Sequence, residues 1–299
     1  MDLDYFWHKI ISMRKFLLIV FALFIILPSH AYLIGLEEGI NKTYIGSSKG
    51  ADIIDSHTGK VLYTIKPMTA YIIKPYKKMF AIKIDKKNYK LETNSLIVKN
   101  KEEKSFLATK KRWYRGEILF YNFNDKITVI NKIPLEEYLL GVVPSEMPYK
   151  WNIEAHKAQA IAARSYAVAN LGKHASHGYD LTDTPKDQAY GGVSSEKPQT
   201  TRAVLDTEGI VITYNNKVIP AYYHSASGGF TKGAGQVWGK NLPYIHAVSG
   251  HDGNVKKKGH GVGMSQYGAN NLANEGYTSY QILNYFYKNI HIANLKNQL

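Results

Sequence analysis

The sequence has no cysteine, no apolar run long enough to span a bilayer comfortably, and few acids, with 24 Asp and Glu against 38 Lys and Arg. Without cysteine there can be no disulfide, so stability must come from packing, and any zinc site would have to be built from His and carboxylates. The apolar run Phe16 to Leu27 holds 12 residues, whereas a spanning helix needs about 20. The shortage of acid leaves a formal net charge of +14 at pH 7. No internal repeat or low-complexity linker breaks the chain.

That apolar run has a context. Met13-Arg14-Lys15 precedes it and Pro28-Ser29-His30-Ala31 follows, which is the order of a basic region, an apolar region and a small-residue cleavage site. Residues 1–31 are expected to be a secretory signal cut after Ala31, with translation starting at Met13. Removing them takes away three basic and two acidic residues and leaves +13. An exported protein of this charge rarely meets nucleic acid. An anionic envelope polymer or a membrane surface is the favoured partner on charge alone; the expected partner is the wall polymer, with membrane contact only through the signal segment and a final location in the periplasm or cell wall.

The fold class expected is α+β. Residues 32–113 alternate short β-branched and aromatic runs with turn residues, which predicts a β-rich region. Lysine-dense pieces at 74–90 and 99–111 read as solvated edges that discourage strand-to-strand aggregation. Strands 118–123 and 126–131 turn at Asn124-Asp125. Pro134 starts a short helix that Gly141 is expected to end. From Asn152 to Leu171 the chain has seven alanines and no Gly or Pro. With Asn152 as N-cap and Gly172 as stop, this predicts a helix of about five turns, poor in solvating side chains and so buried on several sides. A helix over 198–206, a hairpin turning at Asn215-Asn216 and a capping box at Thr278 to Gln281 complete the outline. Residues 114–290 would form a mixed α/β domain around the Ala-rich helix, and 291–299 a tail.

Within this outline, Glu146 lies between Pro144 and Pro148, where a stiff loop could fix a carboxyl in position. Lys157, Ile161, Arg164 and Val168 share one helix stripe at 100° per residue. On such a helix the two cations need an anionic partner: either a structural ion pair or a ligand in a wet cleft. The small-residue loop His224 to Thr231 lets backbone approach a ligand, with His224 and Ser225 offering polar groups, or else it is a structural bend. The glycines of Gly259 to Ala269 do not have dinucleotide-loop spacing and lack a βαβ setting. His174 and His177 read as exposed histidines rather than a metal pair, and no cofactor is expected.

Pro134 to Pro148, Glu154 to Ala160 and Ala163 to Ala167, followed by His224 to Gly229 and Gly259 to Ala269, resemble in order the motifs of the stage II sporulation protein D family. The resemblance covers about Tyr114 to Ile290. It implies a peptidoglycan lytic transglycosylase that cuts glycan strands between N-acetylmuramic acid and N-acetylglucosamine, preferably where stem peptides are gone. The family's catalytic glutamate falls on Glu146 and its functional lysine and arginine on Lys157 and Arg164, here expected to contact substrate or orient the loop. His224, Ser225, His260, Gln266 and Tyr267 are expected to line the sugar cleft. Two features depart from the family: the link between Ser249 and Gly259 is short, and zinc held through Cys is impossible. Two other readings compete. One is a non-catalytic wall-binding module or amidase enhancer, partnering another wall hydrolase. The other is a metallohydrolase built on His224, His246, His251 or His260.

Overall fold

A computed structural model describes residues 31–295 of the chain. The expected export signal lies outside the described residues except for Ala31. Two antiparallel-rich sheets occupy the first part of the described chain. In the larger, the strand order runs Leu181–Thr182, Ala31–Ile40, Lys126–Pro134, Glu117–Phe123, Ser95–Asn100, Ala51–Asp55 and Val61–Ile65. In the smaller it runs Arg112–Tyr114, Leu107–Thr109, Thr43–Ser47, Tyr71–Tyr76, Met79–Ile84 and Lys87–Leu91.

Alternation explains how these strands pack. Tyr71 and Ile73 are buried while Ile72 and Lys74 face out, the period-two pattern of a sheet with one face on a core. Ile34, Ile45, Ile53, Phe80 and Phe120 meet in that core. Residue 113 does not separate two bodies: Ala31–Ile40 pairs along its length with Lys126–Pro134, so the chain before and after residue 113 shares one sheet. The expected tail is not a tail either. His291–Asn294 pairs antiparallel with Ile210–Tyr214.

Six α-helices lie among the described residues: α1 (Leu135–Glu146), α2 (Ile153–Ala169), α3 (Pro198–Asp206), α4 (Ala234–Trp238), α5 (Gln266–Asn274) and α6 (Ser279–Phe286). Among them no helix is long and apolar enough to cross a membrane. The Ala-rich segment forms α2 as expected, with the Asn152 side chain accepting from Glu154 N–H at 3.0 Å. Its alanines have a clear purpose. Ala160, Ala163 and Ala167 pack into the core beneath the sheets, while Ala155, Ala158 and Ala162 pack into a second core with Leu272, Ile282 and Phe286. A helix surrounded by two cores has room for methyl groups and little else.

Helix α1 departs from expectation. Gly141 does not end it; the helix continues through Pro144 to Glu146. Gly141 is needed because the Tyr190 ring lies against it, and a Cβ there would sit 2.6 Å from Tyr190 Cε2. The side chain of Glu146 therefore projects from the last residue of a helix rather than from a proline-clamped loop.

Candidate active site

Glu146 lines a cavity of about 580 Å³. Its Oε1 accepts from Ala189 N–H at 2.7 Å and its Oε2 accepts from Gln266 Nε2 at 3.4 Å. Burial holds its pKa above the ordinary carboxylate range, against the opposing pull of the Ala189 N–H, Gln266 and the Tyr223 hydroxyl. The negative end of the α1 dipole, with no basic residue in its last turn, acts in the same direction as burial. Among the described residues no cation forms a salt bridge with Glu146. It is a carboxyl that holds its proton more tightly than an exposed glutamate does.

The donor at Ala189 is rigidly placed. Next to it, Gln188 is fully buried, with Nε2 donating to Ala163 O at 3.2 Å and to Tyr223 Oη at 3.0 Å. On the other side, the Tyr190 ring is 4.8 Å from that of Tyr138, and its hydroxyl donates to Asn131 Oδ1 at 2.8 Å. Gln266 is also tied down, sharing its Nε2 with Gln159 Oε1 on α2 at 3.4 Å.

Asp187 is the other carboxylate lining the cavity, and it is fully engaged. Lys173 Nζ lies at 2.6 Å, His174 Nε2 at 2.9 Å, and Thr182 donates both its N–H at 2.8 Å and its hydroxyl at 2.9 Å. Burial pushes the Asp187 pKa up, but Lys173 and Thr182 overcome it and hold the group below the usual range. The cavity thus contains one carboxyl whose pKa is raised and one whose pKa is lowered.

The opposite wall is aromatic. Tyr222 and Trp238 have ring centroids 4.6 Å apart, and His260 lies 5.1 Å from Trp238. His224 is buried, with Nδ1 3.2 Å from Val262 O and Nε2 2.9 Å from Ser227 Oγ. A carbonyl can only accept, so Nδ1 carries the proton and Nε2 accepts from the serine. Burial, with help from His260, pushes the His224 pKa down to about 4, so the ring is neutral at pH 7. The glycines of 259–268 serve this wall. Gly263 has φ +76°, and a Cβ there would lie 1.9 Å from Tyr222 O; only glycine lets Tyr223–His224 pair with Met264–Ser265. Asp252 fastens the arrangement, accepting from Ser227 N–H at 2.7 Å and from the Ser265 hydroxyl.

Of the residues singled out from sequence, Glu146, His224, Ser225, His260 and Gln266 line one cavity. Tyr267 does not: its ring packs on Trp151 at 4.8 Å. Lys157 and Arg164 do not line it either, and the structural ion pair is the reading that describes them. Arg164 is fully buried and donates to both Glu136 oxygens at 2.8 and 2.7 Å. Lys157 pairs with Glu154 at 3.0 Å and Asp206 at 3.4 Å. Sequence reasoning did not find Ala189, Tyr223, Asp187, Trp238 or Asp252. Among the described residues no group of three or more His, Asp or Glu side chains is arranged to hold a metal ion.

The model of the family described as "Stage II sporulation protein" matches residues 123–214, a stretch that includes Glu146, its partner Ala189 and the whole of α2. Over that stretch the chain is similar to the stage II sporulation protein D family. Similar proteins include the stage II sporulation protein D of Bacillus subtilis, 29% identical over 259 aligned positions that take in 55% of this chain and 76% of the relative. An uncharacterised protein of Brachyspira hyodysenteriae is 38% identical over 136 residues, 45% of this chain and 37% of its own length. The amidase enhancer of Bacillus subtilis is 41% identical over 109 residues, 36% of this chain and 14% of its own. The chain thus spans well under two thirds of these last two relatives.

Proposed function

We propose that this protein is a peptidoglycan lytic transglycosylase, exported through the sequence before Tyr32 and acting on glycan strands of the cell wall. The observation that carries the reading is the state of Glu146: a carboxyl with a raised pKa, fixed by the Ala189 backbone N–H, in a cavity whose other carboxylate is occupied. Cleavage of a glycosidic bond by water usually needs two carboxyl groups. Intramolecular attack needs one. Protonated Glu146 gives its proton to the glycosidic oxygen of the leaving N-acetylglucosamine as the C1–O bond breaks, and the bond's electron pair goes to that oxygen. A lone pair on the muramic acid O6 forms the new C1–O6 bond, and the O6 proton returns to the Glu146 carboxylate. The product is a 1,6-anhydro sugar; no water is consumed.

Other residues support this assignment. The Trp238, Tyr222 and His260 rings offer the flat apolar surface on which sugar faces stack, and Lys173 and Lys186 line the same cavity. Neutral His224 is a scaffold within its loop rather than a charged catalyst. General acid–base groups contribute about 10²–10⁴ in rate, so Glu146→Gln should lower release of anhydro-muropeptides by at least that range while the fold persists. Full activity in that variant would remove Glu146 from the acid role.

A second reading is a wall-binding module that assists an amidase, favoured by the similarity to a protein named amidase enhancer. In that case Glu146→Gln would leave the stimulation of an amidase on cell-wall sacculi unchanged.

A further inference from the structure

A second cavity, of about 530 Å³, adjoins the one that holds Glu146. Ser145, Pro185 and Ala189 line both, and Ala189 is the residue whose N–H fixes Glu146. Glu146 therefore stands close to where the two cavities meet. A polymer cut in mid-chain has sugar on both sides of the broken bond, and a second cavity beside Glu146 gives the strand a place to continue.

The chemistry of the second cavity differs from that of the first. Its outer wall is Lys110 and Arg112, at the tip of the hairpin Leu107–Thr109 and Arg112–Tyr114 and outside the stretch that the family model matches. The two-residue turn puts Lys110 at φ 48° and Lys111 at φ 59°, where Asn and Gly are the usual occupants. The tip is held by Lys110 Nζ, which donates at 2.7 Å to both Leu36 O and Asp183 Oδ2. Arg112 Nη1 donates to Tyr190 O at 2.9 Å and lies 3.6 Å from Asp183.

The charges do not balance. One buried carboxylate stands between two cations, and the Arg112 side chain is 41% exposed. The hydroxyls around them already make hydrogen bonds within the protein. Ser194 Oγ accepts from Trp113 N–H at 3.0 Å, Ser195 Oγ donates to Gly192 O at 2.8 Å, and Thr184 Oγ1 pairs with Thr182 Oγ1 at 3.1 Å. An anion finds there an excess of positive charge and a planar fork made for carboxylates.

We propose that this cavity is a second saccharide subsite, where Arg112, positioned by Asp183 and Lys110, binds a carboxylate carried by the sugar on the far side of Glu146 from Trp238. The inference rests on the reading of Glu146 as acting on a glycan and adds to it a residue of the β-rich region as a determinant of which sugar unit sits where. It also gives the hairpin a role in recognition beyond covering the core.

Titration calorimetry on the Glu146→Gln protein, which leaves the ligand uncut, tests it with three probes: chitotetraose, peptide-free glycan fragments with their lactyl carboxylates intact, and the same fragments with those carboxylates reduced to alcohols. The carboxylate fragments should bind roughly tenfold more tightly than the reduced ones, the value of one charge-assisted hydrogen-bonded contact. Adding Arg112→Gln should erase that preference and leave chitotetraose affinity unchanged. Equal affinity of the Glu146→Gln protein for intact and reduced fragments overturns the inference without need of the second variant. A preference that survives Arg112→Gln, while Trp238→Ala weakens every probe, overturns the inference and leaves the glycan reading standing. Failure of all three probes to bind overturns both.

Discussion

Arg164 tests whether the cations of α2 hold the fold or the ligand. Its guanidinium is fully buried and reaches five acceptors: both oxygens of Glu136 at 2.8 and 2.7 Å, Ile210 O at 3.1 Å, Val204 O at 3.3 Å and Ala160 O at 3.5 Å. Arg164→Met fills similar space but leaves the Glu136 carboxylate and several carbonyls without their donor. Removing one partner of a buried pair costs about 3–5 kcal/mol. Glu136 is 29% exposed and keeps the Gly209 N–H at 3.1 Å, so water can reach it and the lower end applies, about 3 kcal/mol. At 2–4 °C per kcal/mol for a chain of this size, the melting temperature should fall by about 6–12 °C. Differential scanning calorimetry reads the shift directly, and Glu136→Gln combined with Arg164→Met should recover part of it by removing the orphaned charge. A variant that melts with the parent yet no longer binds glycan would refute the structural role and return Arg164 to the ligand.

Three further outcomes follow from the site. The raised pKa of Glu146 means the native state binds its proton more tightly than the unfolded chain; its contribution is fully present below the unfolded carboxyl range and is lost as pH rises through the native value. Glu146→Gln should therefore melt higher than the parent at pH 7, with the gap closing below about pH 4; a gap of constant size across a pH series of melts contradicts that. Tyr223→Phe removes a hydrogen bond that lowers the Glu146 pKa, so the falling alkaline limb of kcat/KM should move to higher pH; an unmoved or downward-shifted limb counts against Glu146 as the acid. Gly141→Ala drives a methyl into the Tyr190 ring and should cost about 1–3 kcal/mol by overpacking while displacing the helix end that carries Glu146. Chemical denaturation measures the first effect and turnover the second, and a neutral result would mean the Tyr190 contact is loose.

Much of this was legible in the sequence where the determinants are local. Asn152, the alanines and the absence of Gly and Pro specify α2; Thr278 and Gln281 specify the start of α6; and paired left-handed residues mark the turns at Asn124-Asp125 and Asn215-Asn216. The stripe holding Lys157 and Arg164 follows from helix geometry, but their partners Glu136 and Asp206 come from α1 and α3, and no local pattern reports such pairings. Gly141 and Pro144 were misleading for the same reason: both are helix breakers by propensity, yet α1 runs through both, and the Tyr190 ring against Gly141 is a long-range contact that explains the glycine. Ala189 contributes a backbone N–H, which leaves no mark in composition or spacing. The strand order, with Ala31–Ile40 between Lys126–Pro134 and Leu181–Thr182, depends on pairings across most of the chain length.

The central claim, that one carboxyl relays a proton while the sugar's own hydroxyl displaces the leaving group, is tested most directly by digesting peptide-free glycan strands with the protein in ¹⁸O-labelled water and examining the new ends by mass spectrometry. The account predicts 1,6-anhydro muramic ends free of ¹⁸O. New reducing ends carrying one ¹⁸O atom each would contradict it, because water and not the C6 hydroxyl would then have attacked the anomeric carbon.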